Sequence, residues 1–275
     1  VWHGYRSGAD KMNEIIKNKK LYIFDMDGTI YLGNQVFECA VKLIGWLRNN
    51  GRRVMFFTNN ASHTPDFYIA KLNRLGFGAK RDEIMTSGDV TIEFLRSHRE
   101  NKSVYLVGTP ELESQFRESG IRLTNNDDIQ PDIVITSFDT TLTYEKLERA
   151  CRYIRNGAEY LSTHPDLNCP TEHGSVPDSG ALIAFVTAST GAVPVVFGKP
   201  NEMVVRMIGE VTGVDRADMC VFGDRLYTDV ALGKKNGVTS VLVLSGETSA
   251  DDVLRADECD RPDFIYDDLG GVLEG

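Results

Sequence analysis

The sequence has no apolar run long enough to cross a bilayer, no paired cysteines and no basic cluster. A spanning helix needs about 20 consecutive apolar residues, so no membrane partner is expected. The stretch through Lys20 is polar and basic without a hydrophobic signal region, and cytoplasmic residence is the expectation. Five cysteines (Cys39, Cys151, Cys169, Cys220, Cys259) are odd in number and never form a C-x-x-C pair, which argues against a disulfide framework and a zinc ribbon. Free thiols in a reducing compartment fit this usage. A net charge of −10 without clustered Lys and Arg argues against a nucleic-acid surface. Internal repeats, low-complexity tracts and long charge blocks are missing as well.

What is present is a chain of 275 residues, 41% hydrophobic and 25% charged, enough to bury a core and to hold more than one domain. Its most informative stretch is Leu21-Tyr22-Ile23-Phe24-Asp25-Met26-Asp27-Gly28-Thr29, a short apolar run that stops at two carboxylates. Such a run predicts a parallel strand covered on both faces, and ligands of open α/β sheets gather beyond the carboxyl ends of such strands.

Strand and helix patterns alternate from Leu21 to about Ile84, as expected of a parallel sheet with crossover helices. The units are a strand over Leu21 to Phe24, a helix over Val41 to Asn49, a strand over Val54 to Phe57 and a helix from about Pro65 to Leu75. Gly33-Asn34 between Ile30-Tyr31-Leu32 and Gln35-Val36-Phe37 predicts a hairpin over the two aspartates. The same grammar resumes late in the chain, with Val195 to Phe197, a helix from about Glu202 to Val211, Met219 to Phe222 and Ser240 to Leu244. The middle has strands of its own (Val104 to Val107, Ile133 to Thr136, Tyr160 to Ser162) and a helix over Thr143 to Asn156. It reads as an inserted second domain: core over 1–86, insert over 87–194, core again over 195–275.

Four polar loops, each after an apolar strand, carry groups suited to cleaving a phosphate ester, a reaction whose enzymatic acceleration reaches about 10²¹-fold. Asp25 can attack phosphorus and form an acyl-phosphate, and Asp27 can protonate the departing oxygen and later take a proton from water. Gly28 permits the turn between them. Thr58 and the amides near Asn59 and Asn60 can bind phosphoryl oxygens, and Lys199 supplies positive charge. Carboxylate and phosphate repel one another unless a hard cation intervenes. Asp25 and Asp224 offer oxygen ligands for magnesium, with Asp229 placed to orient Lys199 or a metal-bound water. Each group alone has a structural explanation as turn, cap or solvated loop; the ordered set favours chemistry. Asp25-x-Asp27-Gly28 fails as a calcium loop, since Gly falls at position four and Val36 at position twelve. His164, Cys169 and His173 match no standard zinc spacing.

Read in order, Asp25-Met26-Asp27-Gly28-Thr29, Thr58-Asn59-Asn60, Gly198-Lys199-Pro200 and Gly223-Asp224-Arg225-Leu226-Tyr227-Thr228-Asp229 resemble the four motifs of the haloacid dehalogenase superfamily. The insert and the forms of the second and fourth motifs are similar to its NagD-like, or 4-nitrophenylphosphatase, branch, subclass IIA. The resemblance implies a Rossmann-like parallel-sheet core with helices on both faces, an inserted α/β cap of the C2 type and a magnesium-dependent phosphatase acting through an aspartyl-phosphate. It makes Asp25 nucleophile and metal ligand, Asp27 acid/base and metal ligand through its backbone carbonyl, and Asp224 the third metal ligand. Thr58, Asn59, Asn60 and Lys199 fall at phosphate-contacting positions. The stretch Ser162 to Pro170 resembles the cap loop that touches the leaving group, so His164, Asp166, Asn168 and Cys169 are expected to set substrate preference. One departure is Asp178, in Val176-Pro177-Asp178-Ser179-Gly180, where that branch usually has a Pro-Gly-x-Gly turn; Asp in place of Gly leaves the conformation of this loop open, since Asp tolerates left-handed geometry better than most residues.

The expected partner is a small-molecule phosphate ester, a sugar phosphate or similar phosphomonoester. Water as acceptor makes a phosphatase; another acceptor makes a phosphotransferase or mutase with the same nucleophile. A phosphoaspartate signalling receiver leaves the insert unexplained, and a non-catalytic phosphate sensor requires a missing catalytic group. Apolar strands of the cap could pair two subunits into a homodimer, but no patch in the sequence singles itself out.

Overall fold

The structure is a computed structural model describing residues 14–125, 129–171 and 174–274. His173 therefore lies outside the described residues. The fold is an α/β Rossmann-like core with a parallel sheet and flanking helices, plus an inserted cap subdomain. By compactness the chain divides into two units, 1–55 with 212–275 and 56–211.

In the first unit, strands Leu21–Phe24, Met219–Gly223, Thr239–Val243 and Phe264–Tyr266 pair in parallel, with Leu21 opposite Met219, Cys220 opposite Thr239 and Val241 opposite Phe264. Leu21–Phe24 and Met219–Gly223 are buried at every position, which is why they read as unbroken apolar runs rather than alternating ones. Phe24 stacks on Phe222 with centroids 4.8 Å apart, fixing the register of the two strands that end in Asp25 and Asp224. The expected hairpin forms as Tyr31–Leu32 against Gln35–Val36, with Gly33 at φ 60° in its turn. Helix Glu38–Asn49 starts three residues ahead of the sequence expectation and buries Ala40, Leu43, Ile44 and Leu47.

The strand Arg53–Thr58 leaves the first unit and enters the second, where Phe56, Phe57 and Thr58 pair in parallel with Ile84, Met85 and Thr86. Helix Pro65–Arg74 starts on Thr64, whose hydroxyl accepts from the Phe67 amide, with Pro65 in the first turn. The second unit also holds a five-stranded parallel sheet, ordered Val195–Val196, Glu159–Ser162, Ile133–Thr136, Ser103–Val107, Arg122–Leu123. Helix Tyr144–Arg155 lays Leu147, Ala150, Cys151 and Ile154 against Tyr105, Val107 and Val134 of that sheet. Helix Ser179–Thr190 escaped sequence reading because its apolar residues surround the axis and leave no stripe of period 3.6. Among the described residues no helix is long and apolar enough to cross a membrane.

Candidate active site

In the first unit the Leu21–Phe24 strand ends where the Asp25 amide donates to Phe222 O at 2.8 Å. Two residues on, the chain reverses: Met26 O accepts from the Ile30 amide at 2.9 Å and the Gly28 amide donates to Tyr31 O at 2.8 Å. Gly28 holds φ +89°, and a Cβ there would lie 2.5 Å from Asp224 Oδ2, so both conformation and space demand glycine. The Tyr31 hydroxyl donates to Asp27 Oδ2 at 3.1 Å and orients that carboxyl group.

Asp224 follows Met219–Gly223 and is buried. Its carboxylate accepts from the Glu247 amide at 2.6 Å and from Thr29 Oγ1 at 3.5 Å, and a Cβ on Gly246 would sit 2.0 Å from it. The Thr29 and Glu247 contacts were missed from the sequence; the signal for the second was Ser245-Gly246, another turn directly after an apolar strand. Asp229 is buried on the turn Leu226–Val230, its carboxylate accepting from the Arg225 amide at 3.1 Å, and Gly223 lies so close that a Cβ would be 2.1 Å from Asp229 Cγ.

Carboxylate oxygens of Asp25, Asp224 and Asp229 lie within 4.8 Å of one another. Three like charges at that separation repel, and an all-oxygen donor set is what a hard divalent cation requires. The residues therefore fit such an ion. Asp229, expected to work from behind the ligands, is a member of the trio itself, whereas the Asp27 carboxylate is outside it.

In the second unit the strand ending at Thr58 opens into a loop held by its own side chains. Thr58 Oγ1 accepts from the Asn60 amide at 3.1 Å, and Asn60 Oδ1 accepts from Ser62 Oγ at 2.6 Å. Asn59 clamps the lysine segment with two bonds: Lys199 N donates to Asn59 Oδ1 at 2.7 Å, and Asn59 Nδ2 donates to Lys199 O at 3.1 Å. Lys199 is buried, with Nζ 3.5 Å from Phe57 O and 5.6 Å above the Phe57 ring. The Lys199–Pro200 peptide bond is cis.

The expected cap loop splits into buried and exposed residues. His164 and Asp166 are fully buried, while Asn168 is exposed and Cys169 half-exposed on the hairpin Asn168–Thr171/Gly174–Pro177. Cys169 Sγ accepts from Asn60 Nδ2 at 3.7 Å. Asp178, whose conformation the sequence leaves open, is extended at φ −116°, and its carboxylate caps helix Ser179–Thr190 by accepting from the Ser179 amide. The close approach falls instead on Gly180, where a Cβ would lie 2.3 Å from Pro165 O.

Comparison with known proteins agrees with these motifs. A family model described as haloacid dehalogenase-like hydrolase matches residues 22–122, and one described as HAD-hydrolase-like matches 196–272. An acid sugar phosphatase of Staphylococcus saprophyticus is 33% identical over 94% of this chain and 98% of its own. The 4-nitrophenylphosphatase of Thermotoga maritima is 41% identical, with a TM-score of 0.88 over 95% of this chain and 98% of that one. A glycerol phosphate phosphatase of Mycobacterium tuberculosis, solved in complex with magnesium, is 31% identical with a TM-score of 0.88 over 95% of this chain and 78% of that one. Together with the four motif loops and their strand-end positions, these matches show that the chain belongs to the haloacid dehalogenase-like hydrolases, in the NagD and 4-nitrophenylphosphatase-like branch.

Proposed function

We propose that the protein is a magnesium-dependent phosphomonoesterase that hydrolyses a small phosphorylated metabolite, of the sugar phosphate kind, through an aspartyl-phosphate on Asp25. The observation that carries this reading is the carboxylate trio of Asp25, Asp224 and Asp229, with Asp27 two residues beyond the nucleophile. Asp25, Asp224 and Asp229 would hold the ion by carboxylate oxygens, with the backbone carbonyl of Asp27 as a further donor. When bound, magnesium supplies charge compensation between carboxylate and phosphate.

Asp25 attacks phosphorus as the ester oxygen departs, and Asp27 delivers a proton to that oxygen. Asp27, now ionised, accepts a proton from the water that attacks the phosphorus of the aspartyl-phosphate, releasing inorganic phosphate and restoring Asp25. The Tyr31 hydroxyl, 3.1 Å from Asp27 Oδ2, keeps the acid in one orientation through both steps. This reading assigns Thr58 and Lys199 to the phosphoryl oxygens, with the Asn59 clamp fixing the lysine backbone. The relatives' names, acid sugar phosphatase and glycerol phosphate phosphatase, support a small polyol or sugar ester as substrate.

The test is a phosphate-release screen over a panel of phosphorylated metabolites with magnesium, run with and without acceptor alcohols. Inorganic phosphate is expected as the product. A new phosphate ester accumulating in its place would make the protein a phosphotransferase, and silence across the panel and toward a generic aryl phosphate would remove the reading.

A further inference from the structure

Behind the phosphate-binding loop of the second unit lies a buried polar chain that the proposed reaction does not use. His164 Nε2 is 2.7 Å from Asp178 Oδ1, and both side chains are sealed from solvent. On the other side of the ring, Nδ1 is 2.7 Å from Thr163 Oγ1 and 3.5 Å from Ser87 Oγ. Each hydroxyl has another acceptor for its proton. Thr163 donates its own to Ser137 Oγ at 2.9 Å, and Ser87 donates its own to Asn59 O at 2.5 Å. With their protons so directed, both present lone pairs to Nδ1, which then carries a hydrogen. Nε2 faces a carboxylate oxygen that also accepts from the Ser179 amide, so Nε2 carries a hydrogen too. A ring with hydrogens on both nitrogens is an imidazolium, and its partner is the Asp178 carboxylate. Because Nε2 and Oδ1 bond each other directly, the pair accounts for the proximity of His164 and Asp178 without an ion between them.

The pair reaches the lysine segment by two routes. Ser87 lies against Nδ1 and grips Asn59, whose side chain makes both bonds to the Lys199 backbone. Gly198, the residue before that lysine, is wedged so tightly that a Cβ would lie 2.8 Å from His164 Cβ, 2.5 Å from Asn59 Oδ1 and 2.9 Å from Thr163 O. Removing one member of a buried charge pair leaves the other uncompensated, so the geometry here is held strongly.

We propose that His164 and Asp178 form a buried imidazolium–carboxylate pair that acts as a positioning device, fixing Asn59 and Gly198 and through them the Lys199 backbone. The inference rests on the phosphate-binding reading of Lys199 given above. It also assigns His164 a place inside the protein rather than against the substrate, and gives the Asp178 departure a use: the carboxylate charges the histidine while capping a helix.

Two measurements test it. Long-range proton–nitrogen spectra of protein labelled in its histidine rings, with His164→Asn identifying the signal, should show both His164 nitrogens protonated at neutral pH; a single ring proton overturns the ion pair. Asp178→Asn should weaken the affinity for inorganic phosphate, measured calorimetrically with magnesium present, about tenfold, the scale of one lost charge-assisted hydrogen bond. The KM for an aryl phosphate should rise alike, with kcat changed less. A lowered melting temperature with phosphate affinity and KM unmoved would mean the pair serves the fold alone and would overturn the positioning role. If Asp178→Asn does not fold, Ser87→Ala, which removes the hydroxyl lying between His164 Nδ1 and Asn59 O, must shift phosphate affinity in the same direction, and no shift overturns the proposal. The spectra and the phosphate titration need no turnover, so a wild-type protein that hydrolyses no ester would sink the phosphatase reading while these readouts still decide the pair.

Discussion

The two units begin their strands alike and end them differently. In the first, Asp263 precedes the strand Phe264–Tyr266 and accepts from the Ser240 amide and hydroxyl, both at 2.9 Å, and from Lys234 Nζ at 2.8 Å. In the second, Asp132 precedes the strand Ile133–Thr136 and accepts from the Ser103 amide and hydroxyl, both at 2.8 Å, and from Lys102 Nζ at 2.9 Å. Each Ser–Asp–Lys knot ties two neighbouring parallel strands at their amino ends. Burial works most strongly against the Asp263 charge, yet its bonds to Lys234 and Ser240 still hold the carboxyl below its ordinary range. The Ser103 amide, then Lys102 and the Ser103 hydroxyl, hold Asp132 at about 2.

At the carboxyl ends the chemistry diverges. The first unit gathers acids, Asp25 and Asp224 with Asp229, whereas the second gathers hydroxyl, amide and lysine at Thr58, Asn59 and Lys199. One end of a parallel strand is available for scaffolding and the other for reactivity, so the amino ends can repeat while the carboxyl ends specialise. The first set suits a cation and a nucleophile, the second an anion.

The sharpest way to separate the two sets is at Asp25, the proposed nucleophile. Asp25→Asn should drop aryl phosphate hydrolysis to the level of a mock-purified control with the circular dichroism spectrum unchanged, and Asp27→Asn should lower kcat by about 10²- to 10⁴-fold, the range of general acid–base catalysis. Turnover retained in Asp25→Asn would break the assignment of chemistry to the first unit.

A paired glycine experiment asks whether each set fails in its own way. Gly223→Ala pushes a Cβ to 2.1 Å from Asp229 Cγ, and Gly198→Ala pushes one to 2.5 Å from Asn59 Oδ1. Each should cost about 1–3 kcal/mol in denaturant unfolding, as overpacking does. Gly223→Ala should weaken magnesium binding and Gly198→Ala phosphate binding; identical losses in both titrations would erase the distinction.

The smallest effect concerns the shared knots. A carboxyl group held low in the folded state stabilises above its unfolded pKa, near 3.9 for Asp. For Asp132 that stability is complete above about pH 4 and lost as pH falls toward about 2. Asp132→Asn should therefore melt slightly below wild type at neutral pH, with the gap closing between pH 4 and 2. A gap constant down to pH 2 would show that the knot owes nothing to its charge.

Much of this was legible in the chain. The runs Leu21 to Phe24 and Met219 to Phe222 announce buried strands because both of their faces are covered, and the turn residues after them announce loops. Helix Tyr144–Arg155 was readable because one face alone is buried. Helix Ser179–Thr190 was not, lacking a polar stripe, and neither was the backbone of Asp178, whose extended conformation follows from capping that helix. The pairing of His164 with Asp178, fourteen residues away, has no periodic signature at all.

The sequence by itself determined which strands are buried and which residue types stand at their ends, because burial and turn chemistry act over a few neighbouring residues. The tertiary structure alone decided that Asp229 joins Asp25 and Asp224, that Asp27 is turned by Tyr31, and that His164 faces inward toward Asp178. Those outcomes depend on which strands lie side by side and how closely glycines let them approach, and such distances are set only when the chain closes on itself.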